Sequence, residues 1–371
     1  MKLTIERAAL MRSLNHVQSV VERRNTIPIL SNVLFKADGD SLSMTTTDMD
    51  LEINESVAAK VDRPGATTAP AHTLHDIVRK LPDGADVTLE VDATGNSMTV
   101  KAGRSMFKLS CLPTSDFPEI GNTQLPSSFT IPAAELRNLI DRTKFAMSTE
   151  ETRYYLNGIY VHAVDVDGTK ILRAVATDGH RLARFEMPLP AGSDGMPGVI
   201  VPRKTINELR KLLDEAADSI KVSLSESKIR FSFDHIELTS KLIDGTFPNY
   251  EQVIPTKNDK VVEVSSKMFS NAIDRVSTIS DGKSRAVKIA LNNKTMTISA
   301  NSPEAGSATE DLEVNSNDNM EIGFNARYLL DITSQLEGDG CRITLADSAS
   351  PTIIQDSADP SALYVLMPLR V

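Results

Sequence analysis

The sequence predicts an α+β protein built from three copies of one unit, each copy holding two helices laid on antiparallel sheet. Three observations lead there. A chain of 371 residues exceeds what one ordinary core fills, so two to three domains are expected. A strand followed by an amphipathic helix recurs three times at matched spacing. A second helix also recurs in each copy, with further strands on either side of it.

In the first copy Leu3-Thr4-Ile5 alternates as a strand does, and Leu10, Leu14 and Val17 follow at helical spacing. The second copy sets Phe129-Thr130-Ile131 before Leu136, Ile140 and Thr143, and the third sets Val262-Glu263-Val264 before Phe269, Ile273 and Val276. These patterns predict helices over 6–17, 133–144 and 265–276. Strands are expected next at matching places, over 42–48, 172–178 and 296–301. A second helix is expected over 71–81, 203–214 and 325–336, entered behind Pro70, Pro202 and Phe324. Strands then return, and the segments ending in Phe117-Pro118 and Phe247-Pro248 read as connectors. The expected domains are 1–125, 126–256 and 257–371.

Composition narrows the class. No uninterrupted apolar run approaches the roughly 18 residues that span a bilayer, so a membrane partner is not expected. The start, Met1 to Arg7, mixes charge with alternation where a secretory leader needs an apolar stretch, and a cytoplasmic location is expected. Cys111 and Cys341 stand far apart in alternating stretches, which indicates neither a disulfide framework nor a zinc site. No cofactor is expected.

The net charge of −10 argues at first against nucleic acid. Its distribution argues the other way. The six helical segments together carry about +6, so the acidic excess lies elsewhere. Arg7, Arg12, Arg79, Lys80, Arg137, Arg142, Lys144, Arg203, Lys204, Arg210, Lys211, Lys267 and Arg275 would hold phosphates without reading bases. An acidic remainder would help confine a duplex to one basic surface. The competing reading is that these are ordinary solvated helix faces.

Several longer motifs now stand out: Arg24 with Thr26 to Asn32, Arg153-Tyr154-Tyr155-Leu156-Asn157-Gly158, Thr177-Asp178-Gly179-His180-Arg181-Leu182, Val201-Pro202-Arg203-Lys204, Phe247-Pro248-Asn249-Tyr250, and Tyr364 to Val371. In these, and along its whole length, the chain resembles the bacterial DNA sliding clamp family, the beta subunits of DNA polymerase III. The resemblance implies DNA-clamp domains that assemble head-to-tail as a homodimer into a closed ring around double-stranded DNA. It also implies a non-catalytic processivity factor that tethers the polymerase III catalytic subunit, the clamp loader, and other polymerases and repair proteins through short apolar peptide motifs.

By resemblance, Arg24, Glu150, Tyr154 and Tyr155 match DNA positions, and the tyrosines could stack on single-stranded bases. Arg79, Lys80, Arg137, Arg203 and Lys204 join them from the basic helices. Two residues depart from the pattern. His72, also taken as a DNA position, stands where the family carries Arg, and Glu150 stands where Gln is common, although a carboxylate repels phosphate. The competing reading of Tyr154 and Tyr155 is that they plug a domain junction. The peptide pocket implied by resemblance comprises Leu156, Thr177, Gly179, His180, Arg181, Leu182, Pro248, Val253, Tyr328, Val365, Met367, Pro368, Leu369 and Arg370, with Met367 able to adapt to varied ligands. Gln252 replaces a frequent Arg beside it. Phe107, Leu109 and Ile279 would form the dimer interface, or serve as core.

Two other functions compete. Asp178 and His180 could act as an acid/base pair of a hydrolase, but no nucleophile motif accompanies them. Gly282-Lys283-Ser284 suggests a phosphate loop, yet Ser277 occupies the place of its required leading Gly. A sequence-specific DNA-binding regulator would need one distinguished recognition helix, and none is set apart.

Overall fold

The computed structural model describes residues 1–118, 120, 124–216, 218–280 and 285–370. All six expected helices are present: α1 (Arg7–Val17), α2 (Ala71–Lys80), α3 (Ala133–Asp141), α4 (Arg203–Leu213), α5 (Ser266–Ser277) and α6 (Ala326–Thr333). Their starts follow local chemistry. Ser265 accepts the Met268 N–H ahead of α5, Asn325 accepts those of Arg327 and Tyr328 ahead of α6, and Pro70 and Pro202 precede α2 and α4. Helix α3 stops short of the expected 144, and a separate 3-10 turn, Lys144–Ala146, follows it.

The chain forms two compact units. The first comprises Met1–Glu135, Pro190–Met196 and Lys204–Leu242. It holds a five-stranded sheet in the order Lys60–Arg63, Lys2–Glu6, Asp86–Val91, Ser97–Ala102, Ser105–Ser110. Its second sheet has eight strands: Ser127–Pro132, Ser219–Leu224, Lys228–Phe233, Ile236–Lys241, Leu51–Ala58, Ser41–Thr47, Asn32–Asp38, Gly65–Pro70. Alternation places Leu3 and Ile5 inside, and α1 buries Leu10, Leu14 and Val17 as its spacing requires.

The second unit comprises Leu136–Leu189, Pro197–Arg203 and Ile243–Val371. Its eight-stranded sheet runs Val199–Pro202, Gly158–Val166, Thr169–Thr177, Arg181–Pro188, Ala362–Leu366, Thr352–Asp356, Gly340–Leu345, Lys260–Ser265. A four-stranded sheet runs Gly306–Glu313, Thr295–Ser302, Ala286–Asn292, Asn319–Asn325. Phe269, Phe324 and Tyr364 are among its fully buried side chains.

The division into units passes through the middle repeat copy instead of around it. The reason is hydrogen bonding: Ile236–Lys241 of the second copy pairs with Leu51–Ala58 of the first, setting Leu238 opposite Ile53. Ala362–Leu366 of the third copy pairs with Arg181–Pro188 of the second, setting Val365 opposite Leu182. Each eight-stranded sheet therefore joins strands of two copies, which no local pattern announces.

Several helical cations serve the fold. Arg142, expected to meet phosphate, is buried and paired with Glu337 at 3.0 Å and Asp359 at 4.0 Å. Arg7 bonds the carbonyls of Val78 and Arg79 and the Asp83 carboxylate, tying α1 to the end of α2. Arg12 pairs with Glu215, Lys144 with Asp141, Lys211 with Glu208, and Arg275 with Glu310.

Gly158 tests the sheet register. A Cβ there would lie 2.3 Å from the Val201 carbonyl oxygen and 2.9 Å from its carbon, both backbone atoms. Gly158→Ala is expected to cost about 1–3 kcal/mol and to lower the melting temperature by several degrees. An unchanged thermal unfolding curve would contradict the pairing of Gly158–Val166 with Val199–Pro202.

Candidate functional site

The second unit carries a mostly apolar cavity of about 310 Å³. One wall is the turn between the strands Thr169–Thr177 and Arg181–Pro188. Asp178 accepts the N–H groups of His180 and Arg181 at 2.9 and 3.0 Å, and Thr177 accepts that of Gly179 at 3.1 Å. Gly179 has φ +89°, a backbone conformation that favours glycine, and a Cβ there would make the tip of the Arg153 side chain shift. Arg181 shows how a cation lines an apolar cavity. Its guanidinium reaches Asp178 at 3.1 Å, Asp331 at 2.5 Å and the Phe145 carbonyl at 2.7 Å, and lies 4.3 Å from the Tyr328 ring centre.

The floor is the buried cluster of Leu156, Leu182, Tyr250 and Val365, with Phe247 behind it. Val253 and Met367 stand at the rim, 49% and 42% exposed, where a ligand would cover them. The Met367 N–H donates to the His180 carbonyl at 3.0 Å, which holds the terminal segment against the turn.

Nine residues of the expected pocket line this cavity: Leu156, Thr177, Gly179, Arg181, Leu182, Pro248, Val253, Val365 and Met367. His180, Tyr328, Pro368, Leu369 and Arg370 do not. The His180 ring stacks on Tyr328 at 6.3 Å, and the Leu369 N–H bonds the Gly323 carbonyl at 2.8 Å, which draws the terminal segment onto the strand Asn319–Asn325. Tyr155, assigned to DNA from sequence, also lines the cavity, with Arg153, Asn249 and Tyr250. Those four sit within motifs already singled out, so adjacency within a motif was the available signal. Gln252 is exposed and outside the lining.

The acid/base reading of Asp178 and His180 has no geometry behind it. Both Asp178 oxygens are engaged in the turn and its Arg181 pair, and His180 is stacked away. Gly282-Lys283-Ser284 lies outside the described residues. Among the described residues no group of three or more His, Cys, Asp or Glu could hold a metal.

The nucleic-acid candidates separate by what they touch. Arg24 and Lys80 are exposed, Tyr154 is 53% exposed, and Arg79 shares its charge with Asp76 at 3.2 Å. Arg137 and Arg203 are half-buried on α3 and α4, and burial holds the Arg203 pKa below its ordinary value. His72 Nε2 lies 3.0 Å from the Val21 carbonyl oxygen. Lys204 already has partners within its unit: Glu22 at 2.5 Å, Asp48 at 2.6 Å and the Val20 carbonyl at 3.2 Å surround its ammonium. Burial opposes that charge, and the two carboxylates outweigh it to raise the pKa. Glu150 grips Arg153 through two hydrogen bonds at 2.8 and 2.7 Å, and the Arg153 bond holds its carboxyl below the usual range.

A second cavity, of about 320 Å³, lies on the eight-stranded sheet of the first unit, beside Phe117 and Pro118. It occupies the place in the repeat that the apolar cavity occupies beside Pro248, but Lys36, Glu52, Asn54, Arg230 and Glu237 make it polar.

Three family models match in tandem: the N-terminal domain of the DNA polymerase III beta subunit over residues 1–121, its central domain over 130–249 and its C-terminal domain over 251–370. The beta sliding clamp of Caulobacter vibrioides NA1000 is 55% identical over 372 residues, covering 100% of both chains. That of Escherichia coli K12 is 40% identical over 375 residues, again covering 100% of both. Among solved structures, the C. crescentus beta sliding clamp with bound PEG matches at TM-score 0.98 and 55% identity, over 100% of this chain and 99% of that one. The Bartonella birtlesii sliding clamp bound to griselimycin matches at 0.97 and 50% over 100% of both chains.

A buried titrating cluster in the first unit escaped the sequence reading altogether. His16 Nδ1 lies 2.7 Å from Glu55, and Nε2 lies 3.2 Å from Glu215. Burial opposes a charged ring, and the hydrogen bond and charge of Glu55, joined by Glu215, outweigh it, so the His16 pKa is raised. A raised folded-state pKa adds stability that is complete below about pH 6.5, the ordinary imidazole value. That contribution fades as pH rises through the higher folded-state value. Thermal unfolding across pH 6 to roughly 9 should therefore show a stability loss that His16→Gln flattens; parallel curves for the two proteins would refute the linkage.

Proposed function

The chain belongs to the DNA polymerase III beta subunit family, the beta sliding clamps, and from that premise we propose which of its residues carry each part of the work. It is a non-catalytic processivity factor: a homodimer closed head-to-tail into a ring that encircles duplex DNA and tethers the replicative polymerase and other DNA enzymes. A ring keeps its place on DNA by topology, so its contacts with phosphate need only be weak and exchangeable. Base-specific contacts would hinder sliding. The three domains are taken as 1–125, 126–256 and 257–371, and the protein acts in the cytoplasm. No helix among the described residues is long and apolar enough to cross a membrane.

The apolar cavity of the second unit is the peptide pocket, and its lining is the observation that carries this assignment. Leu156, Leu182, Val365, Val253 and Met367 supply apolar contact, while the two cations of the lining, Arg153 and Arg181, already have carboxylate partners in Glu150 and Asp331. Partner peptides, and griselimycin, which is bound to the B. birtlesii clamp, would bury the exposed parts of Val253 and Met367. His180, Tyr328, Pro368, Leu369 and Arg370 flank it and would meet the remainder of a longer segment.

Arg24, Arg79, Lys80, Arg137, Arg203 and Tyr154 are the DNA contacts, the tyrosine by stacking on exposed bases. Lys204, His72, Glu150 and Tyr155 act behind them, holding backbone or neighbouring side chains. The dimer contact is assigned to Phe107 and Leu109 of one protomer and Ile279 of its partner. The strand Ser105–Ser110 is the edge of its sheet, with Met106 71% and Phe107 37% exposed, which suits a strand awaiting a neighbour.

Loading onto nicked circular DNA with an ATP-driven loader tests the topological reading. Protein should stay on the circle and run off once a restriction enzyme opens it; equal retention on both forms would mean that contacts alone hold it. The pocket has its own test. Leu182→Ala with Met367→Ala should weaken griselimycin at least tenfold by calorimetry, the scale expected for truncating buried contacts, with the dimer mass unchanged. Parallel loss of dimer would contradict a discrete pocket.

A further inference from the structure

We propose that Arg173 is the positioning residue of the peptide pocket, holding the pocket wall Tyr250–Val253 in place from behind, outside the lining itself. The inference rests on the pocket reading above and deepens it.

Tyr250–Val253 is a single 3-10 turn of four residues with no side-chain cap of its own. A turn this short has almost no intrinsic stability, so its place must be imposed from outside. Yet it carries two lining residues, Tyr250 from the floor and Val253 from the rim. Arg173 supplies the constraint. It lies on the strand Thr169–Thr177, its side chain is 8% exposed, and it does not line the cavity. One guanidinium nitrogen donates to the Tyr250 hydroxyl at 3.0 Å and to Glu251 at 2.6 Å, and Nε donates to Glu186 at 2.5 Å. The Tyr250 hydroxyl is met from a second side by His162 Nε2 at 3.0 Å.

These contacts are unequal. Glu251 is 60% exposed, so water competes for its bond. The Tyr250 hydroxyl sits on a ring that is 7% exposed and packs against Phe247, so its loss would leave a polar group stranded indoors. The strand that carries Arg173 ends at Thr177, itself in the lining, so one strand sets the positions of two facing walls. Moving the turn by a fraction of an ångström would misplace Tyr250 and Val253 together, and affinity depends on such preorganisation.

The test uses the full-length dimer and griselimycin, with affinity read by calorimetry at 25 °C. Arg173→Gln and Tyr250→Phe should each weaken binding roughly tenfold, the scale of one charged hydrogen bond, with the dimer mass unchanged. The double variant should lose no more than the larger single, because both changes break the same link. Arg173→Lys, which keeps a cation able to reach one partner, should recover part of the loss. Additive losses, or an unchanged affinity in Arg173→Gln while Leu182→Ala with Met367→Ala still loses binding, would overturn the positioning role alone. If that last pair also leaves affinity unchanged, the pocket assignment falls and this inference with it. Should Arg173→Gln fail to fold, Tyr250→Phe, which removes one oxygen and keeps the ring, decides the matter by the same readings.

Discussion

Backbone pairing between repeat copies is the constraint on which the rest of the structure depends. In the second unit Ala362–Leu366 lies against Arg181–Pro188 with Val365 opposite Leu182, and the apolar cavity opens directly beside that pair. Several lining residues are placed relative to this ladder: Thr177 and Gly179 by the turn that leads into it, Met367 by its bond to the His180 carbonyl, Leu156 and Tyr250 by packing on it. A one-residue slip would turn Leu182 and Val365 to the opposite face and remove the floor.

The equivalent junction in the first unit, where Leu238 faces Ile53, has the same backbone and a different chemistry. A connector with Phe-Pro passes it too, but Lys36, Glu52, Asn54, Arg230 and Glu237 join Leu34, Phe117, Pro118 and Ile120 around it. The repeat therefore copies the scaffold without copying the surface, and the apolar lining of the second unit is a property of its own residues. Fold and site are separate matters even within one chain.

What the sequence made legible follows from how local each signal is. All six helices were readable because apolar positions recur every three to four residues, as Leu10, Leu14 and Val17 do on α1. Nine of the residues that line the apolar cavity could be singled out because they sit in long motifs shared with a known family. The pairing of strands across copies was not readable, since both partners look like ordinary alternating strands. Nor were the long-range ion pairs: Arg142 with Glu337, Lys204 with Asp48, and His16 with Glu55 join residues far apart in sequence, so cations that look solvated on a helical wheel turn out to be anchored. The place of Tyr155 in the cavity lining was not legible for a related reason. Its neighbour Tyr154 is exposed, and the backbone turn that sends the two rings in different directions, 5.7 Å apart and nearly perpendicular, has no sequence signature.

The open edge of the five-stranded sheet has a consequence for the life of an unassembled protomer. A strand that shows Met106 and Phe107 and leaves one row of N–H and C=O groups unpaired will accept any extended chain that offers a complementary row. Two features limit such promiscuous strand addition: the edge is only six residues long, and Lys108 sets a charge in its middle. During synthesis and whenever the oligomer dissociates, this short stretch is an aggregation hazard of the kind that any open strand edge carries.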